Sequence, residues 1–250
     1  MQALMSWVLW VLGDVDGAVT RLTAALERAD VVHHAHTHAY AWYYASVLHA
    51  LRGEPSIAQA YAERCLAISE QHGFRQWLGL SRAIYDSCAV ALDASGSRRH
   101  EAKAALDEYQ RAGYQLGITA QFVLLCPALL LQNEAEAALE TIDQGLSVVS
   151  HNSERFFEAE LYRLKARALL MRGAPDAEAE ALLDQALRTA RSQQARSLEL
   201  RAATDLARLW MKQGKHAAAH DVLSSIYGRF SEGFNTRDLR EAKAVIAQLQ

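Results

Sequence analysis

A residue able to end a helix recurs about every forty positions along this 250-residue chain, and that spacing limits what it can fold into. Gly13, Gly53, Gly96, Asn133, Gly173 and Gly214 interrupt long apolar-periodic stretches at spacings of 40, 43, 37, 40 and 41. Seven positions before each stand Ser6, Ser46, Ala89, Cys126, Ala166 and Ala207, all small. Five or six positions after each stand Ala18, Ala58, Ala102, Ala138, Ala179 and Ala219, again all small. Four positions further come Leu22, Ala62, Leu106, Ile142, Leu183 and Leu223. Small residues at matching places on two successive helices let the helices cross closely, and a bulky residue one turn on fills the space beside the crossing. Glycine or asparagine between them supplies the left-handed backbone that ends the first helix.

This helix–turn–helix pattern resembles the tetratricopeptide repeat, with a period longer than the usual ~34 residues. It predicts an all-α chain: an α-solenoid of about six tetratricopeptide-like hairpins plus a carboxy-terminal capping helix, forming a single repeat domain over 1–250. The hairpins are expected at about 1–30, 36–71, 75–112, 115–150, 154–193 and 196–229, and the capping helix at 235–249. Pro55 and Pro175 fall where the first turn of a second helix should be, a place proline favours. Asn235 or Thr236 should cap the last helix, which is amphipathic through Leu239, Ala242, Val245, Ile246 and Leu249. An apolar fraction of 51% against 22% charged residues excludes a disordered chain, and three prolines with thirteen glycines are too few for a β-rich one.

The opening MQALMSWVLWVL is apolar all round but only about twelve residues long, against the ~20 a membrane span needs. It also lacks the basic start of a secretory signal, so a cytoplasmic location is expected, with no membrane as a partner. Met1 falls inside the first helix of the first repeat, and no polar cap precedes it. This suggests a carboxy-terminal portion of a longer solenoid, or self-association through the uncapped amino-terminal helix. Cys65, Cys88 and Cys126 are odd in number and scattered, which fits buried free thiols rather than disulfides or zinc ligands.

The stretches ERFFEAELYRLKARALL, AEALLDQALRTARSQQARSLELRAATDLARLW, QGKHAAAHDVL and FSEGFNTRDL resemble a particular repeat region. It is the carboxy-terminal tetratricopeptide region of large bacterial multidomain regulators. These combine a class III adenylate/guanylate cyclase or winged-helix DNA-binding domain with a predicted P-loop ATPase. The similarity is close over about 150–250 and looser over about 35–150, with Cys88 and Asn235 departing from the usual glycine and aspartate. The resemblance implies a repeat domain that senses a ligand or partner and controls an attached effector domain. It brings no catalysis: the chain has no G-x-x-x-x-G-K-[ST] phosphate loop and no recognisable cyclase aspartate pair.

Candidate recognition residues follow from the repeat register. First-helix positions that do not face the second helix should line an inner groove: Tyr40, Tyr43, Asp86, Asp93, Val123, Leu130, Glu160, Arg163, Arg167, Arg201, Thr204 and Arg208. Its carboxy-terminal end is arginine-rich, suited to an acidic peptide or a small anionic effector. Pairing of the same arginines with Glu158, Glu160 and Glu199 is the competing expectation. In VVHHAHTHAY, His34 and His38 are spaced to present two imidazoles from one helical face, a weak metal candidate. No neighbouring carboxylate or cysteine completes a set, and a polar inter-repeat connection is the simpler expectation. His216 and His220 repeat the spacing. Pro127 should kink or break its helix. The five tryptophans read as packing residues, and no basic stripe with interleaved aromatics suggests nucleic acid. The sequence thus points to a non-enzymatic binding or regulatory module with a protein or peptide partner and no cofactor, or a fragment of a multidomain cyclase/ATPase regulator.

Overall fold

The structure, a computed structural model, describes residues 1–92, 99–113 and 117–249. Among the described residues it is all helical, without strands. The helices are α1 (Gln2–Leu12), α2 (Val15–Val32), α3 (Ala35–Leu51), α4 (Pro55–His72), α5 (Arg75–Leu92) and α6 (Arg99–Arg111). There follow α7 (Ile118–Leu131), α8 (Ala135–Asn152), α9 (Glu158–Met171), α10 (Asp176–Ser192), α11 (Arg196–Lys212), α12 (His216–Tyr227) and α13 (Arg237–Gln248). Consecutive helices pair into hairpins, giving an all-α repeat fold of roughly six units, as the forty-residue spacing requires.

The register residues explain the pairing. All eighteen small and bulky positions, from Ser6, Ala18 and Leu22 to Ala207, Ala219 and Leu223, are buried. The helix-ending anchors Gly13, Gly53, Asn133, Gly173 and Gly214 all have positive φ, while Gly96 lies outside the described residues. The returns between hairpins use the same device at His33, Gly73, Gly113, Ser153, Gln194 and Gly233. Along the chain these left-handed residues fall 19 to 21 positions apart, with one double step of 40 between Gly73 and Gly113. The unit can therefore be counted as one helix, 17 or 18 residues long in α2 to α5, α8, α10 and α11 and shorter elsewhere, and one left-handed turn.

Two boundaries and one proline differ from the sequence expectation. α9 begins at Glu158 rather than 154, because Ser153 is left-handed and Phe157, fully buried, stands at its start. Pro175 precedes α10 as its N-cap instead of occupying the first turn. Pro127 stands inside α7 without breaking it. Thr236 is the N-cap of α13, as expected, and its hydroxyl donates to the Gly233 carbonyl at 2.7 Å.

Two compact units divide the chain that the repeat pattern treats as one domain. The first comprises Met1–Leu9 and Gly17–Glu134; the second comprises Trp10–Asp16 and Ala135–Gln250. In the first unit α3, α5 and α7 form one layer, with α4 against α3 and α5, and α6 against α5 and α7. In the second, α9, α11 and α13 form the corresponding layer, with α8 on α9, α10 on α9 and α11, and α12 on α11 and α13.

The second unit includes residues from the far end of the sequence. Ser197 on α11 donates to the Trp10 carbonyl at 2.5 Å, and the Arg201 guanidinium lies 4.8 Å from the centre of the Trp10 ring. The Asp16 N–H donates to the Glu232 carboxylate at 2.8 Å, and the Gly233 N–H donates to the Asp16 carboxylate at 3.1 Å. A side chain at Gly233, where φ is +72°, would come within 2.9 Å of the Val15 Cβ. Trp10, Val11 and Val15 are buried. Met1, Leu4, Met5 and Leu12 on the same segment are exposed.

Candidate binding site

Side chains of the inner helices meet the neighbouring inner helix where the register expected an open groove. α3, α5 and α7 pack against one another, as do α9, α11 and α13, so positions turned away from the second helix face the next first helix. Tyr43, Asp86, Val123, Leu130, Glu160, Arg163, Arg201 and Thr204 are buried for that reason. Tyr40 is half-buried, Arg167 and Arg208 reach solvent, and Asp93 lies outside the described residues.

In the first unit the aromatic candidates form a packed cluster. Tyr40 stands 4.7 Å from Tyr44 and 5.7 Å from Trp77 between ring centres, and Tyr43 stands 5.3 Å from Trp77. Gln121 on α7 donates to the Tyr43 hydroxyl at 3.2 Å. Burial raises the Tyr40 phenol above its usual pKa, and the Tyr44 hydrogen bond offsets only part of that.

The histidine run has separate structural duties. His33 is the left-handed end of α2, and His34 is the exposed N-cap of α3. His36 Nε2 accepts from the Trp77 indole N–H at 3.0 Å, and His38 Nε2 lies 3.2 Å from the Asp30 carboxylate. Among the described residues no three histidine, cysteine or acidic side chains are arranged to hold a metal ion. His220 lies beside Ser224 and Asp221. The three cysteines are free and buried, and burial pushes the Cys88 thiol up to about 12.

The second unit holds the most organised charge in the molecule. Arg163 binds Glu160 through two parallel contacts of 2.7 and 2.8 Å and reaches Asp205 on α11 at 2.6 Å. Asp205 also accepts from Arg208 at 3.2 Å, which passes on to Glu241 on α13 at 2.9 Å. Arg237 lies 3.8 Å from Glu241 and 3.2 Å from Asp238. Asp238 accepts from Arg201 at 2.7 Å, and Arg201 returns to Glu160 at 2.9 Å. Four carboxylates and four guanidiniums thus alternate around a closed ring that staples α9, α11 and α13 together. Its inner members are withdrawn from water, with Glu160 1%, Arg163 6% and Arg201 8% exposed.

Energetics follow from that closure. Burial alone would raise the Glu160 pKa, but the charges and hydrogen bonds of Arg163 and Arg201 hold it at about 2. Burial likewise works against the charge on Arg163, yet Glu160 and Asp205 raise its pKa above the ordinary arginine value. Buried ion pairs of this kind add little net stability over apolar packing, but removing one partner strands a charge and costs roughly 3–5 kcal/mol.

Arg167 stands apart. One turn beyond Arg163 on α9, it has no hydrogen-bond or ion-pair partner among the described residues. It reaches solvent, yet surrounding protein strips part of its hydration and lowers its pKa, with Arg163 and Arg208 adding like charge and Asp205 and Glu160 opposing them. No signal in the sequence separates it from Arg163 and Arg208; all three sit on inner helices, and only the ring geometry shows which is left over.

The fold and this face define a helical-repeat protein in which one layer of the second unit carries a neutralised charge ring. Compared with protein-family models and with curated proteins, the chain matches none. Among the described residues no helix is long and apolar enough to cross a membrane.

Proposed function

We infer that this chain is a non-catalytic binding and regulatory repeat module, the sensor or scaffold part of a bacterial signalling or transcription regulator. Its partner is a protein or peptide, an attached effector domain, or a small anionic effector. The observation that carries this reading is the charged face of α9, α11 and α13. The ring's acids and bases are committed to one another, and what these helices leave to solvent includes cations such as Arg167, suited to recognition rather than proton transfer. The resemblance of residues 150–250 to the repeat region of cyclase- and ATPase-linked bacterial regulators supports the same reading. It also favours the second one, that the chain is a fragment of such a regulator whose catalytic domains lie elsewhere.

Two measurements on the purified chain test it. Incubation with nucleoside triphosphates should give neither hydrolysis nor cyclisation, and turnover would overturn the non-catalytic assignment. Crosslinked capture should recover a partner that is lost when Arg167, Arg208 and Arg237 are together changed to glutamate. Unchanged recovery would remove this face from the binding surface.

A further inference from the structure

We propose that the outer stripe of α2, in the first unit, is a dimer interface. Its occupant is α2 of a second copy of this chain, lying antiparallel across it.

The stripe has the pattern of a surface that matches itself. Ala24, Glu27, Arg28 and Val31 stand on successive turns along one side of α2, and all four are exposed. A twofold axis passing between Glu27 and Arg28 sets Ala24 of each copy opposite Val31 of the other, and Glu27 of each opposite Arg28 of the other. Both pairs are centred on the same point of the helix, so one register satisfies them together, and the symmetry repeats each contact. Small then faces bulky and acid faces base, twice over. Parallel docking of the same stripe would set Glu27 against Glu27 and Arg28 against Arg28. Among the described residues neither the Glu27 nor the Arg28 side chain has a hydrogen-bond or ion-pair partner within the chain.

The surroundings supply apolar surface. At the end of α2, Val31 is 79% and Val32 53% exposed. Beside them a groove of about 490 Å³ opens between α1, α2 and α3, walled by Ala3, Ala25, Ala29, Val32 and Ala41, with Arg28 its one charged lining residue. Across it stands Met1, with Leu4 and Met5 further along α1, a helix that carries no charged side chain. A contiguous apolar patch of this kind marks an interaction surface. Two copies joined through α2, with the start of α1 alongside, cover about 1,000 Å² in all, the lower limit of a specific interface and enough for a reversible dimer. Exposed ion pairs add little affinity, whereas like charges brought together cost more, so Glu27 and Arg28 set direction and register while the apolar residues hold the copies together.

The test is sedimentation equilibrium of the full chain over a range from about 1 to 300 µM. It should show a monomer–dimer equilibrium with a Kd on the order of 10 µM. Arg28→Glu sets acid against acid on both sides of the axis and should weaken the dimer by about tenfold or more. Glu27→Arg combined with Arg28→Glu exchanges the two charges and should restore it. Both positions are exposed, so circular dichroism should be the same in all three proteins. A monomer throughout the range would overturn the proposal and leave the face to a different partner. Association beyond the dimer, a dimer indifferent to Arg28→Glu, or an exchanged pair that fails to restore it would each overturn it as well.

Discussion

At neutral pH Glu160 is ionised inside the protein, because two guanidinium groups outweigh its burial and hold it at about 2 instead of 4.5. A carboxylate depressed on folding contributes stability that is complete above its unfolded value and fades as the pH falls from 4.5 toward about 2. The melting temperature of the chain should therefore drop across that window, and Glu160→Gln should flatten the drop. The same variant should lose roughly 3–5 kcal/mol at neutral pH, measured by urea unfolding, since Arg163 and Arg201 keep their charge without a shared partner. A Glu160→Gln protein as stable as the parent would mean the ring is not a structural staple. The sequence exposes these residues as a charged set on successive first helices, and it offers two readings, open groove or mutual pairing. Choosing between them needs the distance from α9 to α11 and α13, which no spacing within one helix contains.

Helices and turns were more legible, for a physical reason. Small residues at a crossing and an apolar filler one turn later are local to one hairpin, so their pattern survives in one dimension, and all of those positions are buried. Ala179 is a good probe of the crossing: Ala179→Leu should cost roughly 1–3 kcal/mol by overpacking, read from the urea midpoint. The return turns were harder to see because only some use glycine. His33, Ser153 and Gln194 adopt the left-handed form at roughly 1–2 kcal/mol each, a cost the packed helices on either side override. Pro127 shows the same override within a helix. Replacing it with alanine restores a backbone donor without changing the helix, so Pro127→Ala should stabilise the chain by up to ~3 kcal/mol. A lower melting temperature in that variant would show that the ring of Pro127 packs better than a hydrogen bond would serve.

At the scale of the whole molecule, the second unit is not contiguous in sequence. Trp10 is buried against it and lies beneath Arg201, a member of the charge ring. Trp10→Ala should therefore cost roughly 3–5 kcal/mol. Hydrogen exchange should show lost protection in α11 and α13 while α3, α4 and α5 keep theirs; uniform loss would contradict the division into two units. Sequence periodicity could not reveal this arrangement, because Ser6, Gly13 and Ala18 obey the same repeat grammar as every other hairpin. Membership of a unit depends on partners 187 positions away.

The distance between Trp10 and Ser197 also sets a schedule during synthesis. A ribosome adding roughly 5–20 residues per second needs about 10–40 s to reach Ser197 after Trp10 has been made. For that interval Trp10, Val11 and Val15 lack the α11 contacts that shelter them, so the nascent chain carries a sticky apolar turn until Ser197 is made. Slow translation of the middle repeats would lengthen the exposure. Moving residues 10–16 to follow the carboxy terminus through a linker would abolish the wait.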